Sequence, residues 1–400
     1  MLRKLYVHNF KTLLNFTFEP KGLNLLIGRN NAGKTNLCQA LRFLARSAWG
    51  KLADAAVFSV GSVYSVTNRY VQDNRIEFSC ESDVSFDGSE EYSFKYSLCL
   101  VMAPRQPFEK SLSVESESLR VNGGAFRDAE LIRNVGGQTS VLNEPSYLSG
   151  VVGDEAYLAG SSPGDSTALA TLFDTNTHGV SYLFKAHLMS WLFYDLENTR
   201  LRNIEARAGD QLLALEGGNL ASVVHTLKTS NDRAYRELVE LVGKLESGLA
   251  AINFAPSPDP NRAFMYFEHE DGQGFHPEQL SNGTLRMLAL AYVFVSNYYA
   301  AQRGARPRLT VIEEAETGIF VGHLKDLFES IDPSGRGGQY IFTSHSPYFI
   351  DLFDAHLDGV FLLKREKTHT TLVRPDPERV RELIADEFSL GELHFREMLG

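Results

Sequence analysis

Cysteine is scarce, with three in 400 residues, at positions 38, 80 and 99. No pair has a ligand spacing such as Cys-x-x-Cys, which excludes a zinc ribbon and a disulfide framework and points to a reducing compartment. Long hydrophobic runs are lacking as well. The longest, Met287 to Val295, falls far short of the ~20 residues that span a bilayer. The opening MLRKLYVHNF has no signal-peptide core and the closing GELHFREMLG no lipidation motif, so a cytoplasmic chain with no membrane partner is expected. Basic charge is not in excess. A net charge of −11, from 39 Lys and Arg against 50 Asp and Glu, excludes a wholly basic nucleic-acid coat but not a local basic groove. There is no internal repeat, no low-complexity block and no heptad pattern sustained over many turns.

What is present is ordinary globular composition, 43% apolar and 22% charged. At about 150 residues per domain the length allows two to three domains or lobes. The first 27 residues alternate in the manner of three short strands ending at Gly28. A helical spacing of Leu37, Ala40, Leu41 and Leu44 follows, with Gly50 as a stop. Residues 70–125 read as β-rich, with turns at Asp87-Gly88 and Asn122-Gly123. Residues 126–165 are rich in Gly, Ser, Pro and Asn and give no clear element. Segments 167–195 and 219–248 read as helices, the second with an apolar stripe from Leu220 to Leu245. From 280 onward the pattern is a helix to about 302, a strand at 309–314, a helix at 321–331, and strands at 339–344, 359–364 and 370–374. Strands alternating with helices argue for an α/β sheet.

Between the third strand and the first helix lies Gly28-Arg29-Asn30-Asn31-Ala32-Gly33-Lys34-Thr35. It satisfies G-x-x-x-x-G-K-[ST] in the strand–loop–helix context that the motif needs. Backbone N–H groups of such a loop converge on phosphate oxygens at the positive end of a helix dipole. Lys34 is expected to reach the β and γ phosphates and the Thr35 hydroxyl to ligate Mg²⁺. The expected ATP-binding set is Gly28, Asn30, Asn31, Ala32, Gly33, Lys34, Thr35 and Asn36.

Three further segments complete the pattern. Leu309-Thr310-Val311-Ile312-Glu313-Glu314 is an apolar strand ending in two acids. Glu313 would hold the metal and Glu314 would act as general base. Gln339 to Thr343 is a strand leading to Ser344-His345, and His345 is placed to sense a γ phosphate or polarise water. Leu280-Ser281-Asn282-Gly283-Thr284 opens an apolar helix, where Ser281 serves equally as an N-cap and as part of a phosphate site.

In this order the four segments resemble the ABC-type ATPases, most of all the branch containing RecF, the SMC proteins and the OLD nucleases. Asn9-Phe10-Lys11 before the loop fits that branch. So do Glu313-Glu314-Ala315-Glu316 with Gly318 behind, and Ser344-His345-Ser346-Pro347. Tyr194-Asp195-Leu196-Glu197 with Arg200, and Gly217-Gly218-Asn219-Leu220, look like lobe elements of the family. The resemblance implies a P-loop ABC-type head of α/β class, with a β-rich N-terminal subdomain and an inserted, mainly helical lobe. On that basis 1–125 and 280–400 form the ATPase lobe, and 126–279 is the insert. It implies ATP and Mg²⁺ as cofactors and head-to-tail homodimerisation or a higher oligomer. The loop of one head would face Ser281 and Gly283 of the other, and Lys11 would lie near the nucleotide.

The sequence departs from the family pattern at Glu313, where ABC proteins usually carry Asp, and at Leu280–Thr284 in place of LSGGQ, which leaves Asn282 and Thr284 without a role. No Q-loop glutamine is fixed, and Gln72 reads as a surface residue. The expected function is that of an ATPase that senses a trigger in a prokaryotic defence or toxin–antitoxin system and controls a separately encoded effector such as a nuclease. No Asp-x-Asp pair is present for a Toprim nuclease within the chain. The alternatives are a RecF-like DNA-repair ATPase and a nucleotide-gated scaffold with slow hydrolysis. Nucleic acid is left open as a ligand. Arg200, Arg202 and Arg207 cluster, as do Lys364, Arg365 and Lys367, and both groups read as solvated faces or as parts of a groove formed on dimerisation.

Overall fold

The computed structural model describes residues 1–86, 90–106, 109–244, 248–259, 261–305, 308–329, 338–385 and 388–399. Asp87-Gly88 and Leu245 lie outside them. The chain divides into two compact units, Met1–Trp191 with Asp358–Pro375, and Leu192–Leu357 with Asp376–Leu399.

The first unit is built on an antiparallel sheet of eight strands among the described residues. Its order is Phe16–Phe18, Leu2–His8, Arg75–Phe86, Glu90–Gln106, Glu109–Gly123, Phe126–Val135, Gln138–Leu142 and Tyr157–Ser161. Strands therefore continue through 126–161, where Gly, Ser and Asn had masked them. Gly136 and Gly137 turn the chain at positive φ between two of these strands, a conformation that glycine adopts at little cost. Gly123 does the same at the expected Asn122-Gly123 turn, and a β-carbon there would collide with the Glu91 carbonyl.

The helix Lys34–Ser47 buries Leu37, Leu41, Phe43 and Leu44. The Phe43 ring stacks on Phe78 at 5.4 Å and meets Phe10 at 5.7 Å. Phe10 meets Phe78 edge-on at 5.6 Å. These three rings fasten the helix to the sheet. Phe43→Ala is expected to destabilise the protein by about 3–5 kcal/mol, read as a lower denaturant midpoint at unchanged slope. The strand Leu23–Ile27, buried at all five positions, pairs in parallel with Val360–Arg365, which pairs antiparallel with Thr370–Val373.

In the second unit Leu192–Tyr194, Leu309–Ile312 and Gln339–Thr343 run parallel. Strands buried on both faces read as continuous apolar runs, as Leu309–Ile312 and Gln339–Thr343 do in being buried throughout. The helix Asn282–Gln302 is buried on nearly every side from Thr284 to Val295, as its unbroken apolar run requires. Asn297 anchors it by donating to Thr310 Oγ1 at 3.1 Å.

The expected helix over 167–195 is instead two helices, Ala168–Thr171 and Gly179–Met189, then the strand Leu192–Tyr194. Leu-Phe-Tyr is a strand-favouring triplet, and the neighbouring parallel strand decides the matter. The stripe over 219–248 breaks into Leu220–Ser230 and Asp232–Gly243 at Asn231, whose side chain caps the second helix. A meander of Leu249–Pro256, Arg262–His269 and Gly274–Phe275, edged by Glu205–Arg207, follows. No helix among the described residues is long and apolar enough to cross a membrane.

Candidate functional site: a phosphate loop and an acid–histidine–signature cluster

In the first unit the buried strand Leu23–Ile27 runs straight into the loop. Gly28 (φ 149°) and Gly33 (φ 109°) take backbone conformations that side chains rarely adopt. Neither has room for one. A β-carbon on Gly28 would collide with the Leu363 carbonyl, and one on Gly33 with the Thr370 hydroxyl. Asn31 is left-handed too (φ 66°), which asparagine tolerates better than most residues. Arg29, Asn30, Asn31 and Thr35 are exposed, whereas Ala32, Gly33 and Lys34 are buried. The helix begins at Lys34 with no side-chain cap. Its first N–H groups are therefore available to an anion.

The Lys34 ammonium folds back over the loop and donates to the Gly28 carbonyl at 2.6 Å and the Arg29 carbonyl at 3.4 Å. Thr370 supports the loop from beneath, donating to the Ala32 carbonyl at 3.0 Å. Thr370 also shares a hydroxyl contact of 2.7 Å with Thr12, to which Asn36 donates at 2.6 Å. Asn36 thus braces the helix start. Lys11 sits at positive φ beside this and donates to Gln39 Oε1 at 2.7 Å. Asn9 is fully buried, and its side-chain amide donates to the carbonyls of Asp73 and Arg75. Gln72 is exposed.

In the second unit the strand Leu309–Ile312 delivers Glu313, buried, and Glu314, exposed and left-handed at φ 45°. The Glu313 N–H donates to Tyr194 O at 2.8 Å, and the Glu314 N–H donates to the Thr343 hydroxyl oxygen at 3.1 Å. Arg286, buried on the helix Asn282–Gln302 three residues past Gly283, donates to the carbonyls of Leu196 (2.7 Å) and Glu314 (2.8 Å). Burial pulls the Arg286 guanidinium below its usual range, opposed by the carboxylates of Asp195, Glu316 and Glu314.

Glu316, the last acid of the run Glu313-Glu314-Ala315-Glu316, ties the acid segment to the histidine. Its Oε1 accepts the Ser344 hydroxyl at 2.6 Å and the His345 N–H at 3.2 Å, with His345 Nδ1 at 3.9 Å. The His345 side chain itself is half exposed.

Ser281 caps the helix Asn282–Gln302, accepting from the Thr284 N–H at 3.1 Å and sharing a hydroxyl contact with Thr284 Oγ1 at 2.7 Å. Gly283 backs onto the Gly318 carbonyl with no space for a β-carbon. Arg202 clamps the turn. It donates to the carbonyls of Pro277, Glu278 and Leu280 at 2.9–3.0 Å and to Asn282 Oδ1 at 2.7 Å. Asn282 and Thr284, without a role in the sequence, hold the shape of this turn. Of the neighbouring arginines, Arg200 pairs with Glu216 at 3.2 Å and Arg207 with Glu205 at 3.4 Å. No signal in sequence spacing joins Arg202 to residues some eighty positions later.

Residues 151–351, half of the chain, match the family described as "AAA domain, putative AbiEii toxin, Type IV TA system". The chain belongs to this AAA family. Residues 1–119 of the AAA protein also match the description "AAA ATPase domain". No curated protein matches it. Among solved structures, an SMC head bound to the C-terminal winged-helix domain of ScpA is similar at 12% identity and a TM-score of 0.55, covering 95% of this chain and 99% of that one. An SMC head with an extended coiled coil, bound to the C-terminal domain of ScpA from Pyrococcus furiosus, is similar at 12% identity and a TM-score of 0.50, covering 96% and 98%. The AAA protein therefore has the α/β fold of an SMC-type ABC ATPase head, and belongs among nucleotide-binding ATPases.

Among its described residues no three His, Cys, Asp or Glu side chains group as a metal site. The expected metal donors are each oxygens, the exposed Thr35 hydroxyl in the first unit and the Glu313 carboxylate in the second, and oxygen is the ligand type Mg²⁺ takes.

Proposed function

We propose that this chain binds ATP with Mg²⁺ and hydrolyses it to ADP and phosphate in a head-to-tail dimer. The observation that carries this reading is the loop Gly28–Thr35. Its two glycines have no room for a side chain, its helix start is uncapped, and Lys34 lies folded over it. In this reading the loop amides of Asn30, Asn31, Ala32 and Gly33, with Lys34, hold the phosphates, and Asn36 and Lys11 steady them. Thr35 and Glu313 hold Mg²⁺, which supplies charge neutralisation on the phosphate oxygens. Glu314 takes the proton of the attacking water, and His345 orients that water or the γ phosphate. Ser281 and Gly283 serve the nucleotide of the partner copy. The ATPase lobe of this reading extends past residue 125, since Phe126–Val135 pairs with Glu109–Gly123 and Leu192–Tyr194 pairs with Leu309–Ile312.

The biological role proposed is that of the sensor ATPase of a prokaryotic defence or toxin–antitoxin system, acting in the cytoplasm on a separately encoded effector. The description of the matched family, which refers to a type IV toxin–antitoxin system, supports the toxin–antitoxin part of this reading. The test is phosphate release by the purified chain, followed by co-purification with the products of adjacent genes, with and without Mg-ATP. Turnover at background level would end the enzymatic reading. Hydrolysis with no effector bound in either state would end the regulatory one.

Arg202 offers a second check. Arg202→Ala removes four hydrogen bonds that shape the Ser281 turn. Turnover is expected to fall about tenfold or more, the worth of one charge-assisted bond at a transition state. ATP affinity of the isolated copy should stay as in wild type, because the loop of Lys34 is untouched. Equilibrium binding and steady-state rates measured side by side separate the two.

A further inference from the structure

His345 follows the strand Gln339–Thr343, and on one side the Glu316 carboxylate holds its backbone N–H and the Ser344 hydroxyl. The other side is held from much later in the chain. After His345, the Ser346 N–H donates to Ser344 Oγ at 3.0 Å, and the Ser346 carbonyl accepts the Ile350 N–H at 3.1 Å. This turn opens the short helix Pro347–Asp351, whose Phe349 and Ile350 are buried. Phe349 meets Phe342 of the strand at 5.7 Å. The half-exposed imidazole is therefore carried between a strand and a packed helix.

Onto that helix packs another, Leu390–Phe395, within the same compact unit. The first N–H groups of a helix have no partner inside it. Here three of them find one outside. The Glu392 N–H donates to the cap Ser389 at 3.2 Å, and the Gly391 N–H donates to Asp351 Oδ1 at 2.7 Å. The Leu390 N–H serves Asp354. Burial, and then the neighbouring Asp351, push the Asp354 carboxyl up to about 6, and the Leu390 hydrogen bond opposes that rise. Two of the three acceptors thus belong to the segment that follows His345.

Gly391 allows the two helices to come this close. Glycine weakens a helix relative to alanine, and Gly391 is not among the residues at positive φ. Space is what requires it. A β-carbon there would collide with the Pro347 carbonyl and Cα. These are backbone atoms two residues from His345, and no change of rotamer can clear them.

We propose that Gly391 is a positioning residue for His345, which seats the helix Leu390–Phe395 directly on the Pro347 backbone and so fixes where the imidazole stands. This rests on the hydrolysis reading above, in which His345 orients the attacking water or the γ phosphate. A side chain at 391 must lift the helix or tilt Pro347, and either one shifts the segment that carries the imidazole. A misplacement on the order of 1 Å at such a group costs up to about a hundredfold in rate.

The test is a double-mutant cycle on steady-state hydrolysis, with Mg-ATP affinity and nucleotide-free melting measured alongside. The proteins are wild type, His345→Ala, Gly391→Ala and the pair, each assayed below its melting temperature. Gly391→Ala is expected to lower kcat by about tenfold to a hundredfold, while ATP affinity holds because the loop Gly28–Thr35 is untouched. In the His345→Ala background the same change should cost nothing further, as befits a residue that acts only through the imidazole. If wild type does not hydrolyse ATP, or His345→Ala turns over as wild type does, the hydrolysis reading or its histidine assignment fails, and this inference with it. If His345→Ala is slow and Gly391→Ala is as fast as wild type, this inference alone is overturned. A loss that multiplies with that of His345→Ala also overturns it, since general loosening of the fold acts that way. Should Gly391→Ala fail to fold, Asp351 decides. Asp351→Ala removes the acceptor of the Gly391 N–H and should slow turnover, and Asp351→Asn, which keeps an Oδ1 acceptor, should restore it. Wild-type turnover in Asp351→Ala, or no recovery in Asp351→Asn, would overturn the proposal.

Discussion

Replacing Lys34 by alanine is expected to weaken Mg-ATP binding at least a hundredfold. The ammonium holds two loop carbonyls, of Gly28 and Arg29. Both are neutral acceptors, and phosphate oxygens carrying full charge are stronger ones. Bound nucleotide therefore takes over the donors of Lys34, and each charge-assisted bond lost costs about 1.5–3 kcal/mol. Two such bonds correspond to about a hundredfold or more. Titration calorimetry at fixed ionic strength measures it. The nucleotide-free protein should melt close to wild type, since the Lys34 hydrogen bonds to the Gly28 and Arg29 carbonyls stay within the loop. Wild-type affinity in Lys34→Ala would remove the loop from the nucleotide site altogether.

Glu314→Gln is expected to slow hydrolysis by about a hundredfold to ten-thousandfold, the range assigned to a lost general base, while ATP affinity holds. The backbone of Glu314 is fixed on both sides, by Thr343 Oγ1 at its N–H and by Arg286 at its carbonyl. It keeps a positive φ that a glutamine must also adopt. The amide therefore occupies the same place with the same shape and lacks only basicity. With hydrolysis stalled, the closed dimer should accumulate. Light scattering should report a mass that doubles on adding Mg-ATP. Normal turnover would mean another group takes the proton. A monomeric mass with ATP bound would mean that a different protein completes the site.

Much of this was legible in the sequence where the information is contiguous. The loop is one stretch of eight residues, and strand, turn and helix start are each written in it. The acids, the histidine strand and the capped helix at Ser281 are legible for the same reason. What escaped is non-local or disguised. Thr370 lies beneath Ala32 and Gly33 because two strands pair, and no periodicity reveals that. Arg202 reads as surface charge until the turn it clamps folds against it, and Glu316 acts through a strand some thirty residues later. The sheet strands within 126–161 were hidden by turn-forming residues at tight bends. The strand Leu192–Tyr194 was hidden by its shortness, since three apolar residues after a helix look like more helix.

The support of the loop by Thr370 has a consequence for how the protein comes into being. The loop and its lysine emerge first from the ribosome, yet the carbonyl behind Gly28 belongs to Leu363 and the hydroxyl beneath Ala32 to Thr370. A nascent chain therefore carries an incomplete cradle until Thr370 has been made, more than three hundred residues after the loop itself. The loop takes its final shape only in chains translated past Thr370, and chains that stall earlier keep it unsupported.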